Sequence, residues 1–317
     1  MGRKDTITKQ YLARPDIFAD AFNYYLFGGR PVIRPDDLNE QDPTELTVVR
    51  RAERLLTDQK MRDVLKLCNI RHSKYATFVL LGIESQDKAN YVMPVRDMLY
   101  DALNYSSQVQ KIKRQHMEAG DLKTGAEFMS GFSKSDTLIP VITLCVCFDK
   151  EKWEAPRSLH EMFGDMDPQI RPYINDYSLH LITPCEINDY GKFSSGLGLV
   201  LEFILNSNDK KQMYSIIESR EAYQSVDTDT VDIINLYTDA GISKKQAEGG
   251  QVNMCTAIQE LIEDGRIEGR AEGLAEGENM IISLLKLLEP GSKEYDKALN
   301  GSAADRKKLY KKYKIIE

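Results

Sequence analysis

The sequence lacks the features of a secreted, disulfide-bonded or membrane-spanning protein. Its five cysteines form no C-x-x-C pair, so neither a disulfide framework nor a zinc ribbon is predicted. The longest apolar run, Leu138–Phe148, has eleven residues, whereas a transmembrane helix needs roughly 20. No apolar segment follows the polar start of the chain, so a signal peptide is not expected. We therefore expect a cytoplasmic protein that does not contact a membrane.

Motifs of two common enzyme classes are also missing. The four histidines form no H-E-x-x-H pattern, which argues against a zinc hydrolase. No G-x-x-x-x-G-K-[ST] segment occurs, so the sequence does not predict a P-loop or ATP binding.

Positive charge is scarce overall but unevenly distributed. The net charge of −7 argues mildly against a nucleic-acid partner, because phosphate contacts need Lys or Arg. Residues 50–74, however, hold eight basic and three acidic side chains. A second basic segment near the end of the chain contains Arg306, Lys307, Lys308, Lys311, Lys312 and Lys314. Both segments are candidate DNA-backbone surfaces, and solvated surface charge is the alternative.

Hydrophobic periodicity predicts an α/β core followed by a helical extension. An amphipathic helix is expected over Asp16–Phe27, where Gly28 and Gly29 end it. The predicted strands are Thr44–Val49, Met61–Ile70, Tyr75–Glu84, Leu138–Phe148 and Tyr177–Cys185, with a long helix from Pro94 to about Met117. From Gly196 onward the pattern is helical. We predict a core over 1–189, a helical subdomain over 190–245, and a helix with a basic tail over 246–317.

A short tandem repeat marks the last part of the chain. Its glycines recur every fourth residue, at Gly265, Gly269, Gly273 and Gly277, each followed or preceded by acidic residues. Each glycine costs a helix interior roughly 0.5–1 kcal/mol relative to alanine, unless close packing compensates. The repeat therefore predicts either a weakly helical, solvated spacer or a helix that dimerises through its small residues.

The hairpin formed by the second and third predicted strands could bring two carboxylates together. If it turns around Arg71–Lys74, Asp63 lies opposite Gly82 or opposite Glu84, and in both cases the carboxylates of Asp63 and Glu84 share one face. A register shifted by one residue would move Asp63 to the other face.

These residues would form an oxygen-rich half-shell. Gln86 shares the face of Glu84, whereas Ser85 points away and offers its backbone carbonyl. Two carboxylates and a carbonyl suit Mg²⁺, which keeps several waters and accepts phosphate oxygens as further ligands. Such an ion can support phosphodiester hydrolysis, although strand-end surface charge is the alternative interpretation.

The order of elements, with Asp and then Glu-x-Gln, resembles the PD-(D/E)XK nuclease superfamily. Longer segments resemble the Rpn family of recombination-promoting nucleases, also called transposase-like. They are DIFADAFN at 16–23, LGIESQ at 81–86, MPVRDMLYDA at 93–102 and SLHEM at 158–162. The glycine-glutamate repeat is also typical of that group.

This resemblance implies a restriction-endonuclease-like core and a divalent-metal-dependent DNA endonuclease linked to recombination or transposition. Asp63 and Glu84 would hold the metal, and Gln86 would take the usual place of a lysine. Superfamily members often add an acid from the first helix, for which Asp20 is the candidate and Asp16 the second choice.

The neutral Gln86 departs from the superfamily pattern. A lysine supplies positive charge near the attacking water, whereas an amide can only orient water or phosphate through hydrogen bonds. The alternative function is therefore a non-catalytic DNA- or protein-binding member that acts as an oligomeric accessory in transposition.

Overall fold

Apolar and β-branched runs in the first two thirds of the chain form a five-stranded sheet in the computed structural model, which describes residues 2–40, 63–72, 75–245 and 247–316. The strands, in both chain and spatial order, are β1 (Leu38–Glu40), β2 (Val64–His72), β3 (Tyr75–Gln86), β4 (Val141–Cys147) and β5 (His180–Ile182). Strands β1, β2 and β3 pair antiparallel, whereas β3, β4 and β5 pair parallel. The α/β class is therefore confirmed. The predicted strand Thr44–Val49 lies outside the described residues.

The hairpin register agrees with the sequence prediction. Val64 pairs with Ile83 and His72 with Tyr75, so the residue before β2, Asp63, lies in line with Glu84. This is one of the two expected registers.

Helices cover both faces of the sheet. The helices that precede residue 240 are α1 (Arg3–Ala13), α2 (Pro15–Phe27), α3 (Met93–Ala119), α4 (Gly125–Ser130), α5 (Gly196–Asn206), α6 (Lys210–Ser219) and α7 (Thr228–Thr238). On one face, Leu65 and Leu80 pack with Tyr105 of α3. On the other, Lys66 of β2 donates a hydrogen bond of 2.7 Å to the carbonyl of Ala13, at the end of α1. Because side chains alternate along a strand, Glu84 lies on the α3 face of the sheet.

Helix α2 and helix α3 are where the sequence predicts them. Each has a proline in its first turn, where the missing N–H costs nothing, and each ends at a glycine with positive φ. These glycines are Gly28, with φ 65°, and Gly120, with φ 63°. Helix α1 was not predicted, because its mostly polar sequence shows no apolar stripe.

The fifth strand is shorter than expected. The prediction covered Tyr177–Cys185, whereas β5 has only three residues, His180–Ile182. Pro184 begins a 3₁₀ turn directly after it, and proline cannot donate to the hydrogen-bond ladder.

The chain divides into two compact units, Met1–Cys255 and Thr256–Glu317. The first contains the five-stranded sheet, helices α1 to α7 and a two-stranded ribbon of β6 (Val226–Asp227) and β7 (Gln251–Val252). No helix within the described ranges has both the length and the apolar character to cross a membrane.

The glycine repeat belongs to one continuous helix, α8 (Met254–Leu287). It is followed by α9 (Lys293–Asn300) and α10 (Ala303–Lys312). Leu284, Leu288, Ala298 and Leu309 form a small core within the second unit.

Candidate active site

The predicted site lies where β2 begins and β3 ends. Asp63 occupies a bend just before β2, and its side chain is only 9% exposed. Its Oδ2 atom accepts two hydrogen bonds from Ser85, one from the backbone N–H at 2.7 Å and one from the hydroxyl at 2.6 Å. Its Oδ1 atom lies 3.0 Å from Nζ of Lys9, on α1. The three donors fix the orientation of this carboxylate.

Glu84 is more deeply buried, and its partner comes from α3, on the opposite face of the sheet from α1. Its side chain is 1% exposed, and Oε2 accepts a hydrogen bond of 3.0 Å from Arg96 of α3. A buried carboxylate is costly unless a cation compensates it, so Arg96 stabilises the charged form of Glu84 in place. The backbone register therefore agrees with the sequence prediction, whereas the contacts of the two carboxylates do not show the shared face that it was expected to create.

Tyr100 of α3 lies within the electrostatic influence of both carboxylates. Its pKa is raised by burial first, then by the negative charge of Glu84, with a smaller contribution from Asp63. Burial alone would lower the pKa of Arg96, but Tyr100 and Glu84 together raise it. Asp63 and Glu84 therefore belong to one electrostatic neighbourhood, although different helices hold them.

Gln86 completes the end of β3. Its amide Nε2 donates to the backbone carbonyl of Ser85 at 2.6 Å, and its Oε1 accepts from Asn90 at 3.2 Å. The carbonyl predicted as a metal ligand thus already accepts one hydrogen bond from a neighbouring side chain. Ser85 also donates two hydrogen bonds to Asp63. The sequence predicted a role only for its backbone carbonyl.

Asp20, the candidate acid from the first helix, is engaged elsewhere. It is 2% exposed, and its two oxygens accept four hydrogen bonds of 2.6–2.9 Å from the backbones and hydroxyls of Ser194 and Ser195. These serines precede α5, so Asp20 ties α2 to the start of α5. The second choice, Asp16, pairs with Arg14 at 2.7 Å.

Two cations at the site were not identified from the sequence. Lys9 lies on a helix without a predictive pattern, and Arg96 belongs to a segment that carried the family resemblance but had no assigned role. The sequence gives no local signal for either contact, since Lys9 and Asp63 are 54 positions apart.

Only part of the first basic segment can be located. Of residues 50–74, the structure describes 63–72. Lys66 is 1% exposed and reaches the carbonyl of Ala13, so it does not contribute to a DNA-facing surface. The rest of the predicted surface, residues 50–62 and 73–74, lies outside the described residues.

The ligand types at this site are compatible with a divalent cation, because carboxylate oxygen is the ligand that Mg²⁺ prefers. Each carboxylate already faces a positively charged side chain, so a metal ion there would compete with Lys9 and Arg96. Within the part of the chain that the structure describes, no group of three or more His, Cys, Asp and Glu side chains could hold a metal ion. Asp63 and Glu84 are a smaller set, so an ion bound there would complete its shell with water and phosphate oxygens, as Mg²⁺ commonly does.

No family model, curated protein or solved structure matches the chain.

Proposed function

We propose that the protein is a divalent-metal-dependent DNA endonuclease with a PD-(D/E)XK core, related to the Rpn nucleases and linked to recombination or transposition in the cytoplasm. The observation that carries the proposal is the register of β2 and β3, which sets Asp63 in line with Glu84 at the end of the hairpin. Both acids lie in a largely buried setting beside cations, and such settings are common at catalytic sites.

Each residue of the site would have a separate role. Asp63 and Glu84 would hold Mg²⁺, with the Ser85 carbonyl as a third candidate ligand. The ion would supply a bound water of lowered pKa and would offset charge on the phosphoryl group. Ser85 fixes the rotamer of Asp63 through two hydrogen bonds, and the amide of Gln86 can orient water or a phosphate oxygen.

The proposal is tested with supercoiled plasmid DNA, with Mg²⁺ or Mn²⁺ and with EDTA as the metal-free control. We expect Asp63→Asn and Glu84→Gln each to slow cleavage by roughly 100-fold or more, since each removes a charged metal ligand. Asp87→Asn is the matched control, because Asp87 follows Gln86 in the chain, is 57% exposed and is not a proposed ligand. Wild-type cleavage rates in both site variants, with folding verified by circular dichroism, would exclude this site.

A non-catalytic accessory that oligomerises is the second candidate function. It is favoured by helix α8, where a Cβ atom added at any of the four repeat glycines would meet no atom within 4 Å. That face is open to a second helix. Sedimentation of the full chain and of a chain ending at residue 251 distinguishes the two: equal association states would remove the oligomerising role from the C-terminal segment.

A further inference from the structure

The site contains a cation that the Glu84-Ser85-Gln86 segment does not supply. Lys9 lies on α1, and its Nζ is 3.0 Å from Oδ1 of Asp63 and 3.3 Å from the carboxylate of Asp5. The side chain of Lys9 is 18% exposed and that of Asp63 is 9% exposed. Since little water screens them, their attraction exceeds that of an ordinary surface ion pair.

Packing fixes the position of the helix that carries this ammonium group. Tyr11 and Leu12 of α1 are buried, and the Thr8 hydroxyl lies 3.0 Å from that of Tyr237 on α7. Lys9 therefore extends from an anchored helix toward the start of β2.

The two oxygens of Asp63 have separate partners. Oδ2 accepts both hydrogen bonds from Ser85, whereas Oδ1 is the atom that faces Lys9. A divalent cation could take Oδ1 while the bonds to Ser85 stay in place. The same cation would meet the charge of Lys9, because both positive groups would share one carboxylate oxygen.

We propose that Lys9 is the resident counter-ion of Asp63, that it competes with the divalent cation for Oδ1, and that it supplies the positive charge that Gln86 cannot. This inference rests on the proposed nuclease function. It predicts opposite effects on two measurements: loss of the Lys9 charge strengthens metal binding and slows DNA cleavage. A merely structural lysine would weaken both, because its loss would loosen the site.

The test uses the full chain, with Mn²⁺ as the probe ion. Mn²⁺ affinity is measured by calorimetry without DNA, and single-turnover cleavage of plasmid DNA is measured at saturating Mn²⁺. We expect Lys9→Met to bind Mn²⁺ roughly three- to tenfold more tightly and to cleave at least about tenfold more slowly. Lys9→Arg, which keeps the charge, should retain most of the cleavage rate.

Two further variants complete the design. Lys4→Met removes the same charge from the same helix, but Lys4 pairs with Asp87 at 3.4 Å, so both measurements should stay near wild type. Lys9→Gln keeps a polar side chain and replaces Lys9→Met if the latter does not fold.

The outcomes separate this inference from the proposed function. Unchanged or weaker Mn²⁺ binding in folded, uncharged Lys9 variants, while the wild type cleaves DNA, would overturn the inference and leave the nuclease. Tighter Mn²⁺ binding in Lys9→Met, without cleavage by any variant including wild type, would support the counter-ion role and overturn the nuclease. A wild-type protein that neither binds Mn²⁺ nor cleaves DNA would overturn both.

Discussion

At the scale of single residues, the buried carboxylate of Asp20 connects two helices rather than facing the hairpin. Asp20→Ala would leave the N–H and hydroxyl donors of Ser194 and Ser195 without this acceptor. We expect the free energy of unfolding in urea to fall by about 2–3 kcal/mol, the cost of stranded buried donors. The metal-dependent cleavage rate per folded molecule should stay unchanged.

The control for this variant is Asp16→Ala, at a side chain that is 46% exposed. Its effect should stay below about 1 kcal/mol, as for other exposed ion pairs. If Asp20→Ala kept wild-type stability but lost cleavage, Asp20 would belong to the reactive site, as the family resemblance implied.

His116, near the end of α3, gives the molecule a pH-dependent contact. Its Nδ1 and Nε2 lie 2.5 Å from Asp121 and 2.8 Å from Asp136. The hydrogen bonds to Asp121 and then to Asp136 raise the pKa of His116 above its usual 6.5. A raised pKa contributes stability that is complete below the unfolded pKa and is lost as pH rises through the folded pKa.

The thermal midpoint of wild type minus that of His116→Gln should therefore be larger at about pH 5.5 than at about pH 9. His180→Gln is the control of opposite sign, because burial lowers the pKa of His180. The contribution of His180 to stability is lost as pH falls, so its midpoint difference should be smaller at the acidic pH. The same trend with pH for both variants would contradict the assignment of His116.

Strand geometry alone decides the hairpin register, and the parity of a short hairpin predicted it: Asp63 lies in line with Glu84. The contacts of the two side chains were not predicted. Asp63 contacts Ser85 and Lys9, and Glu84 contacts Arg96, because these contacts depend on how two helices dock on opposite faces of the sheet. The role of Ser85 as a donor to Asp63 depends on the bend before β2, which no local pattern indicates.

At the scale of elements, apolar periodicity predicted the helices and strands that have one buried face. Helices α2 and α3 combine that periodicity with proline near the start and glycine at the end, and their predicted limits lie close to the observed ones. Helix α1 has neither signal, and its stability depends on docking Tyr11 and Leu12. Such helices are the hardest to predict from sequence, because their tertiary contacts outweigh the local preference of their residues for the helical conformation.

The glycine repeat allows a test of α8. At Gly269 and Gly273 an added Cβ finds open space within the chain, and both lie in a helix interior. We expect the double variant Gly269→Ala, Gly273→Ala to stabilise α8 by about 1–2 kcal/mol in total, seen as a higher thermal midpoint of the helical signal. Gly28→Ala is the opposite control, since Gly28 has φ 65° and a side chain there is strained.

The double variant Gly269→Ala, Gly273→Ala also tests whether two copies of α8 associate. If two copies of α8 approach closely along the glycines, the added methyl groups would reduce the sedimenting mass, although each helix has become more stable. An unchanged or lower midpoint for the helical signal would contradict the open, helical environment of the two glycines.

At the scale of the whole molecule, the acidic net charge restricts where DNA could bind. A chain of net charge −7 needs concentrated basic surfaces to attract phosphate. The described part of the first basic segment includes the buried Lys66, whereas α10 presents Lys307, Lys308 and Lys311 as exposed side chains. The tail is therefore the better-defined electrostatic candidate for the proposed DNA partner.

This assignment predicts a specific change in salt dependence. Each lysine that neutralises a duplex phosphate contributes about 0.9 to the slope of log affinity against log salt concentration, because it releases a condensed counterion. We expect the triple variant Lys307→Ser, Lys308→Ser, Lys311→Ser to bind duplex DNA more weakly and to reduce that slope by roughly two to three. The measurement is fluorescence anisotropy across a salt series.

The matched control removes the same charge from exposed positions outside both basic segments, in the triple variant Lys111→Ser, Lys123→Ser, Lys152→Ser. Because only direct phosphate contacts change the slope, equal slopes for the two triple variants would show that the tail acts through net charge alone and would remove α10 from the DNA-binding surface.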